Sequence, residues 1–234
     1  MCDEQCLNFV RGSFSAADIE GKSVLEVGSL DVNGSARAIL QPMGPSRYVG
    51  VDIALGPGVD VICNSENLVA KFGRESFDVV ISTEMLEHVQ DWRTVVSNLK
   101  NVLKPGGTLV ITTRRIGFPF HGYPHDFWRF EREDFQRVFS DLDIRRLECD
   151  DASRGIFLVA RRPDSFKENN LESHELYSIL SGKRTRGLEN WEVKFFNASR
   201  RVGDVVYPYL GRYGGLLPPI LRKSARKIFV RHDG

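Results

Sequence analysis

The stretch 24-VLEVGSLDVNG-34 decides the fold, because an apolar run stops at a glycine and passes into small, polar residues. Such a pattern is typical of a buried strand that turns directly into a helix. A dinucleotide fingerprint starting at Gly28 would need glycines where Leu30 and Asn33 stand, and no Gly-Lys-Ser/Thr of a phosphate-binding loop follows. The turn is therefore poorly suited to a pyrophosphate.

Apolar runs and amphipathic stretches alternate from residue 23 to residue 162. The predicted strands are 23–28, 47–52, 59–63, 77–82, 108–113, 142–149 and 156–162, and the predicted helices are 35–41, 66–72 and 91–103. The first five strands are almost continuously apolar, as expected when both faces of a parallel sheet are covered. Only the turn 151–155 separates the last two. We predict an α/β fold with a doubly wound, mostly parallel seven-stranded sheet and a closing antiparallel hairpin.

Composition divides the chain into unlike parts. It has 234 residues, 41% of them hydrophobic and 27% charged, which is ordinary for a soluble globular protein. Residues 1–162 carry a net charge of −4 and residues 163–234 a net charge of +5. We predict an N-terminal helical lead-in over 1–21, a core domain over 22–162, and a basic, mainly helical extension over 163–234 that starts as a polar linker with a short helix.

Compartment and metal content follow from simple counts. No apolar run approaches the length of a membrane span, no charged-then-apolar leader follows Met1, and four cysteines suit a reducing compartment. We predict a cytoplasmic protein. Cys2 and Cys6 have loose metal-ligand spacing, and His121 with His125 has another, but neither pair has an obvious further ligand. No metal is expected.

Two acidic residues stand where the first strands end. Glu26 lies inside the first strand, where a carboxylate is costly to bury without donors or a cation nearby. Asp52 closes the second strand, in the position suited to accept both hydroxyls of a ribose. Glu84 follows the fourth strand in the segment STEMLEHV, 82–89. Ligands of open α/β sheets bind at these strand ends, so this edge of the sheet is the place to look for a cofactor site.

The chain here resembles the class I S-adenosylmethionine-dependent methyltransferases, in particular the type 11 methyltransferase-domain group. The resemblance rests on four segments in this order: VLEVGS (24–29), YVGVD (48–52), FDVVISTEMLEHV (77–89) and LKPGGTLVIT (103–112). It covers roughly residues 22–162. It implies the Rossmann-like methyltransferase fold, S-adenosylmethionine as cofactor and methyl transfer as activity.

The resemblance also implies roles for individual residues. Those expected to bind the cofactor are Gly28 and Ser29 at the methionine portion with Glu26 near its ammonium, Asp52 at the ribose, Ile53 on the adenine, Asn64, Ser65 and Glu66 at the adenine edge, and Thr83, Glu84, Met85 and His88 on the methionine side. Two positions depart from the family pattern. Leu30 replaces the second glycine of the first motif, where Gly34 could substitute, and Asn64 replaces an acidic residue.

The long loop 114-RRIGFPFHGYPHDFWRFEREDF-135 is the expected acceptor site, since loops beyond the strand ends usually carry substrate sites. A neutral histidine titrates in the range needed to take a proton from an acceptor hydroxyl. We predict His125 and His121 as catalytic residues, with Asp126 orienting one of them or Arg129. The aromatic and basic residues predicted to bind substrate are Tyr123, Trp128 and Arg129. The alternative is that Asp126 and Arg129 form an ion pair that fastens the loop while the aromatic residues fill core.

The sequence favours an enzyme that methylates a small-molecule or glycan-type acceptor, with oxygen as the expected atom. Two alternatives stay open: a nicotinamide dehydrogenase, which needs glycines that the turn lacks, and a non-catalytic cofactor-binding or partner-docking module with the same fold. Nucleic acid is disfavoured, because the catalytic region is acidic. The basic segment 214–234 is compatible with peripheral membrane contact, a partner, or packing on the domain or a homodimer mate.

Overall fold

The apolar runs form one large sheet. A computed structural model gives the structure of the protein and describes residues 4–122 and 125–198. The strands of this sheet are β1 (Ser23–Val27), β2 (Arg47–Asp52), β3 (Val61–Ile62), β4 (Phe77–Thr83), β5 (Leu103–Arg114), β7 (Asp143–Asp150) and β8 (Gly155–Arg161). Their order is β3-β2-β1-β4-β5-β8-β7. The predicted sheet of seven strands is thereby confirmed.

Strand order reverses beside β1, which pairs in parallel with β2 on one side and with β4 on the other. The connections from β1 and β4 leave the sheet in different directions there, and this opens a crevice at the carboxyl ends of the strands. At the far edge β8 is antiparallel to both β5 and β7. The predicted closing hairpin is therefore also present.

Helices cover both faces of the sheet. They are α1 (Glu4–Arg11), α2 (Ala16–Ile19), α3 (Ala36–Leu40), α4 (Leu68–Phe72), α5 (Trp92–Val102) and α6 (Arg132–Val138), followed by α7 over residues 190–198. The α5 helix begins as predicted, because the Asp91 side chain accepts a hydrogen bond from the Thr94 backbone N–H at 3.2 Å. It ends at Val102, and the Lys-Pro-Gly-Gly segment is the irregular first part of β5, where Gly106 has φ +73°.

The core has two parts, one on each face of the sheet. The first packs α5 and α6 against the sheet, and its largest fully buried side chains include Trp92 and Phe135. The second packs the N-terminal helices against the other face of the sheet, and its members include Phe9, Ile19 and Leu40. Short α1 and α2 thus belong to the same folded unit as the sheet. Within the described residues, no helix has the length and apolar character needed to cross a membrane.

The prediction of a polar linker with a short helix over 163–190 is wrong. This segment contains β9 (Leu176–Ser178) and β10 (Lys183–Thr185), which form a second, three-stranded sheet with β6 (Trp128–Arg129). β9 pairs antiparallel with both neighbours. Pairing with the free edge of β6 supplies its backbone hydrogen bonds, and no local sequence pattern announces such a partner.

The α5 helix fastens this segment to the domain. The Arg93 guanidinium donates from Nε to the Leu171 carbonyl at 2.7 Å and from Nη2 to the His174 carbonyl at 2.5 Å. Lys100 donates to the Asp141 carboxylate at 2.8 Å and to the Asn169 side chain at 3.3 Å. Segment 163–190 is therefore held by α5 as well as by its pairing with β6.

Candidate functional site

A cavity of about 260 Å³ opens at the carboxyl ends of β1, β2 and β4. This is the crevice beside the strand-order reversal, where α/β sheets bind their ligands. Most of the predicted site residues line it: Glu26, Gly28, Ser29, Asp52, Ile53, Ser65, Thr83, Glu84, Met85, His88, His121 and His125. The fold thus brings together residues that lie up to 99 positions apart in the sequence.

The first turn adopts a conformation that requires Gly28. Its φ is +80°, and a Cβ at this position would lie 2.9 Å from Met85 Cβ and Cγ. The Gly28 and Ser29 N–H groups both donate to the Val51 carbonyl, at 2.9 and 3.0 Å. The backbone of the turn is therefore pinned across β2, and the missing side chain at residue 28 leaves room beside Met85.

Leu30, the departure from the family's second glycine, is accommodated by a glycine elsewhere. A Cβ on Gly56 would lie 2.3 Å from Leu30 Cδ1. The Leu30 side chain thus fits only because residue 56 is a glycine, since the Cβ of any other residue there would clash with it. Its backbone N–H donates to Asp52 Oδ2 at 3.3 Å, so the turn still reaches the end of β2.

Glu26 is a buried carboxylate on the floor of the cavity. It accepts hydrogen bonds from the Tyr48 hydroxyl at 2.7 Å, the Ala36 backbone N–H at 3.2 Å and the Ser35 hydroxyl at 3.4 Å. Burial raises the pKa of Glu26 above its ordinary value, and these donors oppose the rise. Among the described residues, no lysine or arginine forms an ion pair with it. The Arg37 charge acts on Glu26 from a distance, and a ligand ammonium at this end of the cavity would supply a direct ion-pair partner.

Asp52 lies at the rim, at the end of β2. Its Oδ2 takes the Leu30 N–H and its Oδ1 takes the Ala54 N–H at 3.2 Å, so each oxygen has one donor and keeps capacity for another. Next to it the Ile53 side chain is 61% exposed and lines the cavity. A carboxylate beside an uncovered apolar surface fits a ribose with its attached base.

The predicted adenine edge is only partly at the cavity. Ser65 is buried and lines it. The Asn64 side chain instead caps a short 3-10 helix by accepting the Glu66 N–H at 2.9 Å. Asn64 and Glu66 lie next to the cavity wall without forming it. Their proposed contacts with the base therefore stay predictions.

Glu84 lines the cavity from an unusual backbone conformation. Its φ is +53°, its carboxylate pairs with the Arg114 guanidinium, and Oε1 accepts from Cys6 Sγ at 3.2 Å. Burial, and then the negative charge of Glu87, raises the pKa of Glu84 well above its ordinary value. Sequence reasoning missed Cys6 and Arg114 at this place, since they lie 78 and 30 positions away from Glu84.

Asp126 organises the acceptor loop, and it does so in both of the ways that were predicted. Its Oδ2 lies 3.0 Å from His121 Nδ1 and 2.7 Å from Arg129 Nη2, while Oδ1 lies 2.5 Å from Arg129 Nη1. It also accepts the His121 backbone N–H at 2.9 Å. Burial opposes ionisation, but the hydrogen bonds from Arg129 and His121 outweigh it and hold the pKa of Asp126 far below its ordinary value.

His121 is not suited to the role of general base that the sequence suggested. Burial disfavours its charged form, but Asp126 and Glu87 outweigh burial and raise its pKa to about 9. The ring is therefore protonated at neutral pH and has no lone pair to offer. His125 is exposed and lines the cavity, so it remains the candidate base.

Trp128 and Arg129 do not contact the cavity, contrary to the prediction that they bind substrate. Trp128 is fully buried and donates from Nε1 to the Val89 carbonyl at 2.9 Å. Besides the Asp126 pair, Arg129 donates to the Phe118 and Pro119 carbonyls at 3.1 and 2.9 Å. The hydrogen bonds of both side chains therefore stabilise the loop. Tyr123, the third predicted substrate contact, lies outside the described residues.

Glu87 is a site residue that the sequence reasoning missed. It is fully buried behind His88 and His121, and it accepts a hydrogen bond from the Thr113 hydroxyl at 2.6 Å. Burial opposes its ionisation, but His121, His88 and Thr113 hold its pKa at about 2. The adjacent Glu-His pair in STEMLEHV was the available signal.

Comparison with known proteins agrees with this geometry. Residues 6–148, more than half of the chain, match the family described as "Methyltransferase domain". The chain is 31% identical over 112 residues to the mitochondrial ubiquinone biosynthesis O-methyltransferase of Homo sapiens, covering 40% of this chain and 30% of that protein. It is also 31% identical over 113 residues to phthiotriol/phenolphthiotriol dimycocerosates methyltransferase of Mycobacterium tuberculosis, covering 43% and 41%. The chain spans less than half the length of these curated relatives.

The fold matches a solved methyltransferase. The 1,6-didemethyltoxoflavin-N1-methyltransferase of Burkholderia thailandensis, solved with S-adenosylhomocysteine, aligns with a TM-score of 0.54 at 17% identity over 69% of this chain and 80% of that one. The predicted Rossmann-like methyltransferase fold is thereby confirmed, and with it the resemblance stated from the sequence.

Proposed function

The chain belongs to the methyltransferase-domain family of class I S-adenosylmethionine-dependent methyltransferases, and from that premise we propose that it methylates a small-molecule or glycan-type acceptor at an oxygen atom. The observation that carries the proposal is the pair of carboxylates, Glu26 and Asp52, at the ends of neighbouring strands in one cavity. The pair suits a ligand with a cationic amino-acid part at one end and a ribose at the other.

Each carboxylate has a separate task toward the cofactor. Glu26 holds the ammonium in a buried site, where the low effective dielectric makes the attraction between the two charges stronger than in water. Asp52 accepts the two ribose hydroxyls with the oxygen capacity that its backbone donors leave free. Ile53 covers the base. Bound in this way, S-adenosylmethionine supplies an electrophilic methyl group on a sulfonium.

The acceptor side of the cavity is formed by the loop that Asp126 organises. His121, charged and held between Asp126 and Glu87, keeps the loop in place over the cavity. His125 accepts the proton of the acceptor hydroxyl as the oxygen attacks, a contribution that is typically worth about 100- to 10,000-fold in rate. An exposed histidine at a cavity mouth and an O-methyltransferase among the relatives support oxygen as the methylated atom.

Calorimetry with S-adenosylhomocysteine tests the cofactor assignment. We expect wild type to bind, and Asp52→Ala to lose at least roughly 100-fold in affinity, since it removes two hydrogen bonds to a charged group that contribute about 1.5–3 kcal/mol each. Asp151→Asn is the matched control, because its carboxylate is largely exposed and outside the cavity. Well-folded wild type that gives no heat, or an Asp52→Ala variant that binds like wild type, would contradict the proposal.

A turnover assay tests the acceptor side. Release of S-adenosylhomocysteine is followed with a panel of hydroxylated small molecules and glycans. His125→Ala should lower turnover at least about 100-fold and leave S-adenosylhomocysteine affinity unchanged. Equal loss of both would show that the loop acts only as structure.

The proposal also includes peripheral membrane contact through the C-terminal part of the chain. On α7 the side chains of Trp191 and Phe195, one helical turn apart, are 66% and 70% exposed. They precede the basic segment 214–234, which lies outside the described residues. Co-sedimentation with anionic liposomes should fall when the chain is truncated after Gly215, and unchanged co-sedimentation would refute the contact.

A further inference from the structure

Three potential metal ligands meet beside the acceptor end of the cavity. Glu87 and His88 lie in the 3-10 helix after β4, and His121 lies in the loop after β5. One ligand atom from each lies within 4.8 Å of the others. Glu87 Oε1 is 3.7 Å from His121 Nε2 and 3.8 Å from His88 Nε2. Small inward movements would bring three donor atoms to metal-ligand distance of about 2.0–2.2 Å.

The Glu87 carboxylate is half satisfied, although it is fully buried. Oε2 accepts the Thr113 hydroxyl, whereas Oε1 accepts no hydrogen bond from the described part of the chain. A buried carboxylate oxygen without a hydrogen bond is costly. Oε1 instead faces the two imidazole Nε2 atoms at 3.7 and 3.8 Å, which is too far for a hydrogen bond, so a cation placed among the three atoms would contact all of them.

Both imidazole rings are already oriented in the manner of metal ligands. His88 Nδ1 contacts the His125 carbonyl oxygen at 2.5 Å, and His121 Nδ1 lies 3.0 Å from Asp126 Oδ2. Metal-binding histidines almost always use their second nitrogen to donate to a carbonyl or carboxylate, which fixes the ring. Here this support leaves Nε2 of each ring directed at Glu87.

We propose that Glu87, His88 and His121 bind a divalent first-row transition-metal ion such as zinc. His121 carries a proton in the absence of metal, and the ion takes the place of that proton, since metal binding to histidine releases protons. Two imidazoles and one carboxylate suit zinc, cobalt, manganese or iron, whereas magnesium prefers oxygen ligands alone. His88 and His121 line the cavity, so the remaining coordination positions face it. The expectation of no metal did not consider this set, because Glu87 and His88 lie more than 30 positions before His121 in the chain.

The site deepens the proposed function and rests on it for its role. An acceptor hydroxyl oxygen bound at the open position would be held next to the methyl donor, and the ion would favour its deprotonated form. The hydroxyl proton passes to His125. The oxygen–methyl bond forms as the methyl–sulfur bond breaks, and the sulfonium becomes a neutral thioether.

Metal titration tests the site without any activity measurement. The untagged full chain is stripped with a chelator and titrated with Co²⁺, followed by visible absorption, and with Zn²⁺, followed by calorimetry. We expect one ion per chain. Glu87→Gln and His88→Gln should each weaken Zn²⁺ binding at least about 100-fold, since even residues that only support a ligand change affinity 10- to 100-fold. His125→Gln is the matched control, a histidine of the same cavity that should keep wild-type affinity for Zn²⁺.

Two variants keep the test decisive. Glu87→Gln also alters the Thr113 contact, so circular dichroism must show that it folds; if it does not, His88→Gln at a partly exposed position decides. Absence of Co²⁺ absorption and Zn²⁺ heat, or wild-type affinity in the folded variants, overturns the inference. Calorimetry with S-adenosylhomocysteine separates the two proposals: a chain that binds it without binding metal refutes only the metal site, and a chain that binds metal but not S-adenosylhomocysteine refutes only the function.

Discussion

Replacing Asp126 by asparagine should destabilise the protein more than any surface change. The Asp126 side chain is fully buried and that of Arg129 is 1% exposed, and two parallel hydrogen bonds join them. Asparagine has the same shape but brings an amide N–H₂ against the guanidinium and leaves a buried cation without its anion. Breaking a buried pair on one side costs about 3–5 kcal/mol. For a chain of this size the melting temperature should fall by roughly 6–20 °C.

Urea denaturation followed by circular dichroism measures this cost. The control is Asp151→Asn, whose carboxylate pairs with Arg115 but is 87% exposed, so its loss should cost at most about 1 kcal/mol. The carbonyls of Phe118 and Pro119 still accept from Arg129 in the variant. If the free energy of unfolding of Asp126→Asn lies within about 1 kcal/mol of the wild-type value, those carbonyls are enough to hold Arg129, and the ion pair does not hold the loop.

Two further outcomes are expected. Gly28→Ala should lower the free energy of unfolding by about 1–2 kcal/mol, because residue 28 has a left-handed conformation, and should weaken S-adenosylhomocysteine binding by displacing Met85. Gly21→Ala is the control, since Gly21 has φ +70° but no atom within 4 Å of an added Cβ, so only its stability should fall. Equal binding by both variants would refute the steric argument. Burial opposes ionisation of Asp78, but hydrogen bonds from Ser23 outweigh burial and hold the Asp78 pKa at about 2. The stability advantage of wild type over Asp78→Asn should therefore be full above pH 3.8 and vanish as pH falls toward 2. An advantage that does not change with pH in acid denaturation would show that the Asp78 carboxylate does not stabilise the fold as an ion.

The sheet and the cofactor end were predictable because they depend on local patterns. Near-continuous apolar runs identify parallel strands wherever they occur, and the acids that end β1 and β2 then have to meet at one edge. Gly28, Glu26 and Asp52 could therefore be placed at the cavity from the sequence. Leu30 was an apparent defect only because its partner, Gly56, is 26 positions away.

The acceptor end was less predictable, since its properties arise from contacts across the fold. His121 was a reasonable base by residue type, but its protonation depends on Asp126 and on Glu87, which comes from another strand end. Segment 163–190 has weak periodicity of its own and becomes ordered by pairing with β6. Tertiary pairing of this kind overrides local propensity.

The contact between Cys6 and Glu84 makes the N-terminal helix a natural reporter for the cavity. The Cys6 sulfur is fully shielded and donates to the Glu84 carboxylate, which lines the cavity. A thiol reagent can reach it only after α1 lifts away, so its alkylation rate, read by peptide mass mapping, measures how often this wall opens. Ligand that seats against Glu84 should slow the labelling, which gives a readout of occupancy that needs neither an acceptor nor a fluorophore.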